Sequence, residues 1–304
     1  MRFAIGIPQF YADGEFDPAA FRAYFTRVEA LGYHSAWTQE QVLGSGPQLG
    51  AIETMTYAAA CTQRLRLGCA VLVSTLHTPV HLAKSLSSLD QLSQGRLEVG
   101  VGTGGGGRPF AAFGMDPDRY VARFSEGVAL MKALWTEPRV TFDGEFWQLK
   151  DAAMEPKPAQ KPLPLWLGGS SQAALRRAVR IGTGFFGAGS VPTAQFAQQV
   201  ETVRAALADG GRPAEEFPIA KRVYLAVEAD AGRARQRVND GLERIYGRRV
   251  PAIEAAAVAG TPDDCVRELR EVAAAGAELI LFSALYDQAE HAERIAVEII
   301  PRLG

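Results

Sequence analysis

The chain has 304 residues, 47% of them hydrophobic and 22% charged, with a formal net charge of −2 at pH 7. This composition suits a globular protein with a core of good size, and the near-neutral charge, with no aromatics interleaved with Lys and Arg, argues against a nucleic-acid partner. The three cysteines (Cys61, Cys69, Cys265) lack a CxxC spacing and the four histidines (His34, His77, His81, His291) form no HExxH-like cluster. Neither a disulfide framework nor a metal site is therefore expected.

Helical and strand signals alternate along the chain. The apolar run Phe3 to Ile7 reads as a buried strand and is too short for a signal peptide, so a cytoplasmic protein with no membrane association is expected. Asp17-Pro18 starts a helix with Phe21, Phe25 and Val28 on one face, stopped near Gly32. Ser35 to Thr38 is a second strand, followed by a helix around Glu53 to Cys61 and a third strand from Leu65 to Val73. Thr78-Pro79 gives an N-cap and a first-turn proline to a helix reaching Gln94, with Gly95 as its left-handed stop and Arg96 to Gly102 as the fourth strand. Asp118 to Trp135 reads as the fourth helix.

Val140 to Lys150, with Asp143-Gly144 between alternating apolar residues, interrupts the rhythm as a hairpin, and a proline-rich connector leads into the fifth strand, Leu163 to Gly168. Helix Ser170 to Arg180, strand Gly184 to Gly187, helix Pro192 to Ala208 and strand Ile219 to Val227 continue the alternation. Helices follow at Ala231 to Tyr246, Pro251 to Ala259 and Thr261 to Gly276, then the last strand, Glu278 to Ala284, and a closing helix, Gln288 to Arg302. Eight strand–helix units with nearly continuous apolar strands predict an α/β (β/α)8 TIM barrel, in one domain spanning 1–304 with an insertion at about 138–162. Small and apolar residues on more than one face of the second and third helices (Met55, Ala58, Ala59, Ala60; Leu82, Ala83, Leu86, Leu89) predict a homodimer interface there.

In such a barrel the chemistry sits at the C-terminal strand ends. The residues there are Gln39-Glu40-Gln41, Val71 to Thr75, Gly102 to Gly107, Gly168-Gly169-Ser170-Ser171, Gly187 to Ser190, and Ser283. The run Gly100-x-Gly102-x-x-Gly105 has dinucleotide-fingerprint spacing, but Arg108-Pro109-Phe110 and Gly114 separate it from the next helix, against a Rossmann reading. Bare backbone at Gly102, Thr103 and Gly104, and again at Gly168 and Gly169, suits close approach of a phosphate or flat ring, with Ser170 as a cap and Ser171 as a further hydroxyl. Glu40 is a candidate ring contact or proton carrier, and His77 lies just past the third strand within reach of the same end. His34 precedes the second strand, at the end away from catalysis.

The pattern LxLGxxVLxxxxxxPVxLAKxLxxLDxLSxGRLxxGVGxG over residues 65–104, the later PKPxQKPxPxWxGG, and AGTPDDCVRELREVAAAGA before the last strand resemble the bacterial-luciferase-like monooxygenase family, in particular its deazaflavin-dependent oxidoreductases. The resemblance implies a (β/α)8 barrel with insertions, coenzyme F420 (or FMN) in its mouth, a small-molecule substrate, and a homodimer. It further implies a non-prolyl cis peptide at Ala70-Val71 behind the ring, contacts from Gln39, Glu40 and Gln41, and a phosphate near Gly102 to Gly104 and Gly168 to Ser171. Relatives often carry histidine after the acidic residue; here Gln41, which cannot titrate, stands in that place. Three functions follow: deazaflavin hydride transfer, FMN-dependent monooxygenation, or a non-catalytic flavin-binding barrel.

Overall fold

The computed structural model describes residues 1–11, 15–44, 46–104 and 110–304; Gly105, Gly106 and Gly107 of the expected anion loop lie outside the described residues. The strands are β1 (Arg2–Gly6), β2 (Ser35–Thr38), β3 (Arg66–Cys69), β4 (Leu72–Val73), β5 (Leu97–Gly102), β6 (Val140–Asp143), β7 (Gln148–Ala152), β8 (Leu165–Leu167), β9 (Gly184–Gly187), β10 (Ile219–Val227), β11 (Val258–Gly260) and β12 (Leu279–Ala284). Parallel pairing runs β1-β2-β3-β5-β8-β9-β10-β12 and returns to β1, closing an eight-stave barrel.

Around it lie α1 (Pro18–Ala30), α2 (Ala51–Cys61), α3 (Pro79–Leu92), α4 (Tyr120–Thr136), α5 (Gln172–Ile181), α6 (Thr193–Asp209), α7 (Ala231–Tyr246), α8 (Pro251–Ala256), α9 (Pro262–Ala274), α10 (Gln288–Arg294) and α11 (Ile300–Leu303). Helices α1 and α9 start where their caps predict: Asp17 accepts from Ala19 and Ala20 N–H, and Thr261 and Asp264 form a reciprocal capping box. The large apolar core lies between the outer faces of the staves and these helices.

The barrel interior holds a second cluster of Ala4, Trp37, Trp166, Phe186, Ala220, Leu279 and Leu281. Two indoles fit because neighbouring staves carry glycine: a Cβ on Gly68 would stand 2.4 Å from the Trp37 ring, and one on Gly184 2.7 Å from that of Trp166. Both indole N–H groups are satisfied, Trp37 donating to Ser35 Oγ (2.8 Å) and Trp166 to Glu98 Oε2 (2.6 Å).

The two long sequence patterns meet at the opposite end from the mouth. The buried Asp90 carboxylate accepts from Gln160 N (2.9 Å), Gln160 Nε2 (2.8 Å) and Leu97 N (3.4 Å), tying the α3–β5 turn to the proline-rich connector. Arg96 commits all five of its N–H directions, to Ser93 O, Thr62 Oγ1, Leu65 O, Ala59 O and Thr62 O, and so closes the C-terminus of α2. These motifs set the spacing of staves β3, β5 and β8.

Several local expectations need correction. The third strand is not continuous over Leu65 to Val73: it breaks at Ala70-Val71 and resumes as β4, paired with β5. Thr78 makes no side-chain cap, and Pro79 alone marks the first turn of α3. Ser171 rather than Ser170 caps α5, accepting from Ala174 N–H (3.2 Å). The fourth helix starts at Tyr120, after a 3₁₀ turn over Pro117–Arg119. Val258 and Ala259, read as the end of a helix, instead begin β11, which extends the sheet beside the outer end of β10. Of the residues expected at a homodimer interface, Met55, Ala58, Ala59, Leu82, Ala83, Leu86 and Leu89 are buried within the chain, where α2 packs on α3 and α3 on α4, while Ala60 is exposed.

Candidate active site at the barrel mouth

The centre of the mouth is made by the break in the third stave. After Cys69 the chain turns through a cis Ala70-Val71 peptide and re-enters the sheet, with Leu72 opposite Val101 and Val73 opposite Gly102. Ala70 N–H donates to Thr38 O (2.9 Å), and Ala70 itself packs on the interior cluster of Trp37, Trp166 and Phe186. The glycines of β5 are there for this bulge: a Cβ on Gly100 would lie 2.0 Å from Cys69 O, and one on Gly102 2.7 Å from Val71 Cγ2. Their bareness admits protein before any ligand. Burial pushes the Cys69 thiol up to about 12, so it is no nucleophile.

Glu40, just past β2, anchors the exit of the bulge. Its Oε2 accepts from Val73 N–H (2.6 Å) and its Oε1 lies 2.8 Å from His77 Nε2; the side chains are 7% and 27% exposed, respectively. Both carboxylate oxygens are thus engaged, and the imidazole is the outward member of the pair. A carboxylate on Nε2 favours the tautomer with hydrogen there, which leaves Nδ1 as a lone-pair acceptor. Gln41 carries no imidazole, yet His77, 37 positions along the chain from Glu40, supplies one to the same carboxylate. Gln41 itself is exposed and turned onto its own loop, donating to Leu43 O at 3.4 Å.

Gln39 is held by its backbone, its N–H donating to Gln9 Oε1 (2.7 Å) and its carbonyl accepting from Gln48 Nε2 (2.9 Å). Its side-chain oxygen accepts from Arg222 Nη1 (3.1 Å), while Arg222 Nη2 donates to Ala70 O (3.0 Å). Arg222 had no sequence signal as a site residue. Its position two residues after inward-facing Ala220 places it on the same face of β10, one step nearer the mouth. The neighbouring Lys221 faces the other way and donates to Ala188 O and Val191 O (2.8 Å), holding the β9–α6 loop. Burial, helped by the charge of Arg222, pushes the Lys221 ammonium down to about 7.

The second glycine-rich end sits on the adjacent stave, since Val101 of β5 pairs with Leu167 of β8. Gly169, Ser170 and Ser171 are exposed beside the N-terminus of α5. Gly169 is also required by packing, since a Cβ there would meet Ala174 Cβ at 2.6 Å, and Gly104 holds φ +80°; a branched residue at either position would disturb the backbone itself. Thr103 contributes its carbonyl, which accepts from Thr75 Oγ1 (3.1 Å).

An aromatic floor, a partly exposed Ala70, and on the next staves a helix N-terminus with two exposed serines fit a flat heteroaromatic ring with a phosphate-bearing arm. A cavity lined by Arg2, Glu98, Pro162, Pro164 and Trp166 lies at the other end of the barrel, where the staves begin, and has no part in this arrangement.

Comparison with known proteins shows which chains share this fold. A protein named F420-dependent glucose-6-phosphate dehydrogenase from Nakamurella multipartita is 30% identical, the match covering 95% of this chain and 94% of that one. The solved monooxygenase RslO1 from Streptomyces bottropensis superposes with a TM-score of 0.87 at 24% identity over the whole of both chains. An F420-dependent secondary alcohol dehydrogenase, solved with an F420-acetone adduct, superposes with a TM-score of 0.84 at 18% identity, again over the whole of both chains. The sequence profile of the luciferase-like monooxygenases matches residues 1–279, and the chain belongs to that family.

Proposed function

We propose that this protein is a coenzyme F420-dependent oxidoreductase acting on a small organic substrate. The observation that carries the proposal is the Glu40–His77 pair at the edge of the Ala70-Val71 bulge, in a chain whose full-length relative is named as F420-dependent. Bound in the mouth, the deazaflavin would supply a two-electron hydride carrier. The protein's own part is to orient and to handle the proton. Ala70, backed by the buried indoles, would support one face of the ring, Gly102 to Gly104 and Gly168 to Ser171 would hold its phosphate, and Gln39 would meet its polar edge. Glu40 fixes the ring orientation and tautomer of His77, and His77 Nδ1 takes or gives the substrate proton as hydride moves. The chain is read as one domain, and a homodimer would use the outer face of α2, where Tyr57 remains 39% exposed.

Parallel titration of the purified protein with F420 and FMN tests the proposal. Micromolar binding of F420, with FMN at least about tenfold weaker, is expected, a difference of about 1.4 kcal/mol. Binding of FMN alone would overturn it in favour of a flavin-dependent monooxygenase, and reduction of bound F420 by no substrate class would leave a binding protein.

A further inference from the structure

Arg222 is a charge without a counter-charge. It is half-buried at the mouth, and among the described residues no carboxylate pairs with it. Its two hydrogen bonds go to neutral oxygens, Gln39 Oε1 and Ala70 O, and its buried Nε has no partner. Glu40, the carboxylate of the proton-handling pair, is already taken by Val73 N–H and His77. A guanidinium withdrawn from water and left unpaired is costly, and a protein that keeps one in a binding site gains when an anion arrives.

The surroundings are built for such an arrival. Gly189 makes room for Arg222: a Cβ there would stand 3.0 Å from Arg222 Cγ and Cδ and 2.9 Å from the Tyr224 ring. Tyr224, on the same face of β10 one step further out, shares a hydrogen bond with Tyr246 (2.9 Å), and the Ser190 hydroxyl lies beside Tyr246. The mouth thus has two sides of different chemistry. One carries Glu40 and His77, suited to proton transfer; the other carries a cation and three hydroxyls, suited to oxygens of negative charge.

We infer that Arg222, with Tyr224, Tyr246 and Ser190, forms an oxyanion-binding subsite that selects substrates bearing a carboxylate or phosphate. The subsite deepens the oxidoreductase reading and rests on it only for treating the barrel mouth as the substrate site. The same positive charge could instead serve negative charge on the reduced ring of the cofactor, and the experiment separates the two.

Wild type, Arg222→Gln and Arg222→Lys are titrated with inorganic phosphate and with benzoate, read by thermal shift and by fluorescence of the tryptophan floor, and separately with oxidised and reduced F420. Anion affinity is expected to fall about tenfold or more in Arg222→Gln and to be largely restored in Arg222→Lys, as loss of one charge-assisted bond requires. Affinity for oxidised and reduced F420 should change by the same factor, because Arg222 also holds Ala70 O and Gln39 Oε1 and only a charge aimed at the ring would tell the two forms apart. Equal anion affinity in wild type and Arg222→Gln, or no anion binding by wild type, overturns the subsite; a loss confined to reduced F420 assigns the charge to the ring and also overturns it. Should Arg222→Gln not fold, Tyr246→Phe serves in its place: weaker phosphate binding supports the subsite and unchanged binding refutes it. Failure of wild type to bind F420 would sink the proposed function while the anion titration remained readable.

Discussion

Glu40→Gln tests the proton-handling pair with little change of shape. Val73 N–H can only donate, so the amide oxygen of the substituted side chain must stay with it, as Glu40 Oε2 does now at 2.6 Å. The amide NH2 is then turned to His77 Nε2, which the carboxylate now meets at 2.8 Å. Two donors cannot face one another, so the imidazole must shift its hydrogen to Nδ1, the atom that is to accept the substrate proton. The variant therefore keeps the fold and blocks the base. Replacing two charge-assisted bonds by neutral ones should cost roughly 1–3 kcal/mol of stability. Turnover, followed by F420 absorbance under saturating cofactor, should fall by about 10²–10⁴, the usual worth of a positioned acid or base. F420 affinity should change by less than about tenfold, or 1.4 kcal/mol. Nitrogen NMR of His77 reads the tautomer without any substrate. Unchanged turnover with hydrogen still on Nε2 would refute the pair, and a loss confined to F420 affinity would make Glu40 a cofactor anchor.

Three further outcomes can be measured directly. Gly100→Ala should lower stability by about 3 kcal/mol or more and weaken F420 binding, because its Cβ would lie 2.0 Å from Cys69 O and the bulge would have to move; an unchanged melting temperature would show that the bulge can yield. Asp90→Ala should cost about 3 kcal/mol or more in urea unfolding, since it strands Gln160 N and Leu97 N and leaves Gln160 Nε2 with Leu97 O alone, with F420 affinity unchanged if the protein remains folded; a parallel loss of affinity would contradict a purely architectural role. For Lys221, whose folded-state value is pushed down to about 7, the unfolded chain binds the proton more tightly between there and the ordinary range near 10.4. Its contribution to stability therefore rises with pH across that window, by up to about 1.4 kcal/mol per unit, and the wild-type-minus-Lys221→Met difference should climb accordingly between pH 7 and pH 10; a flat difference would mean that Ala188 O and Val191 O hold the ammonium charged.

The fold was readable because barrel staves announce themselves by periodicity and punctuation. Ser35–Thr38, Gly184–Gly187 and Ile219–Val227 were bounded to the residue, since apolar runs between strong stop signals leave few alternatives. The third stave was not, because a break in pairing at Ala70-Val71 leaves no mark in an unbroken apolar run, and the sequence signal for it came only through family resemblance. β11 escaped for a related reason: the three residues Val258, Ala259 and Gly260 follow a helix without punctuation and are strand only because the outer end of β10 is there to pair with them.

The site divides differently. The long patterns that identify the family do structural work at the closed end of the barrel, where Asp90, Arg96 and Gln160 tie segments far apart in sequence. The residues given chemical roles are single ones, and their meaning is positional. Glu40 was visible from its place at a strand end, and His77 could be put within reach but not paired. Arg222 had no local sign, because an arginine inside an apolar strand reads as an outward-facing cation unless the inward phase is known. Ala220 sets that phase through its contact with the indole cluster, so Arg222 becomes legible only once the barrel is closed. Its charge then stands opposite the Glu40–His77 pair, with the bulge between them bonded to both: Val73 N–H to Glu40 and Ala70 O to Arg222. Substrate orientation and proton transfer would share that one short segment of backbone, so a substitution that moves the bulge, such as Gly100→Ala, should impair both together, whereas Glu40→Gln and Arg222→Gln should separate them.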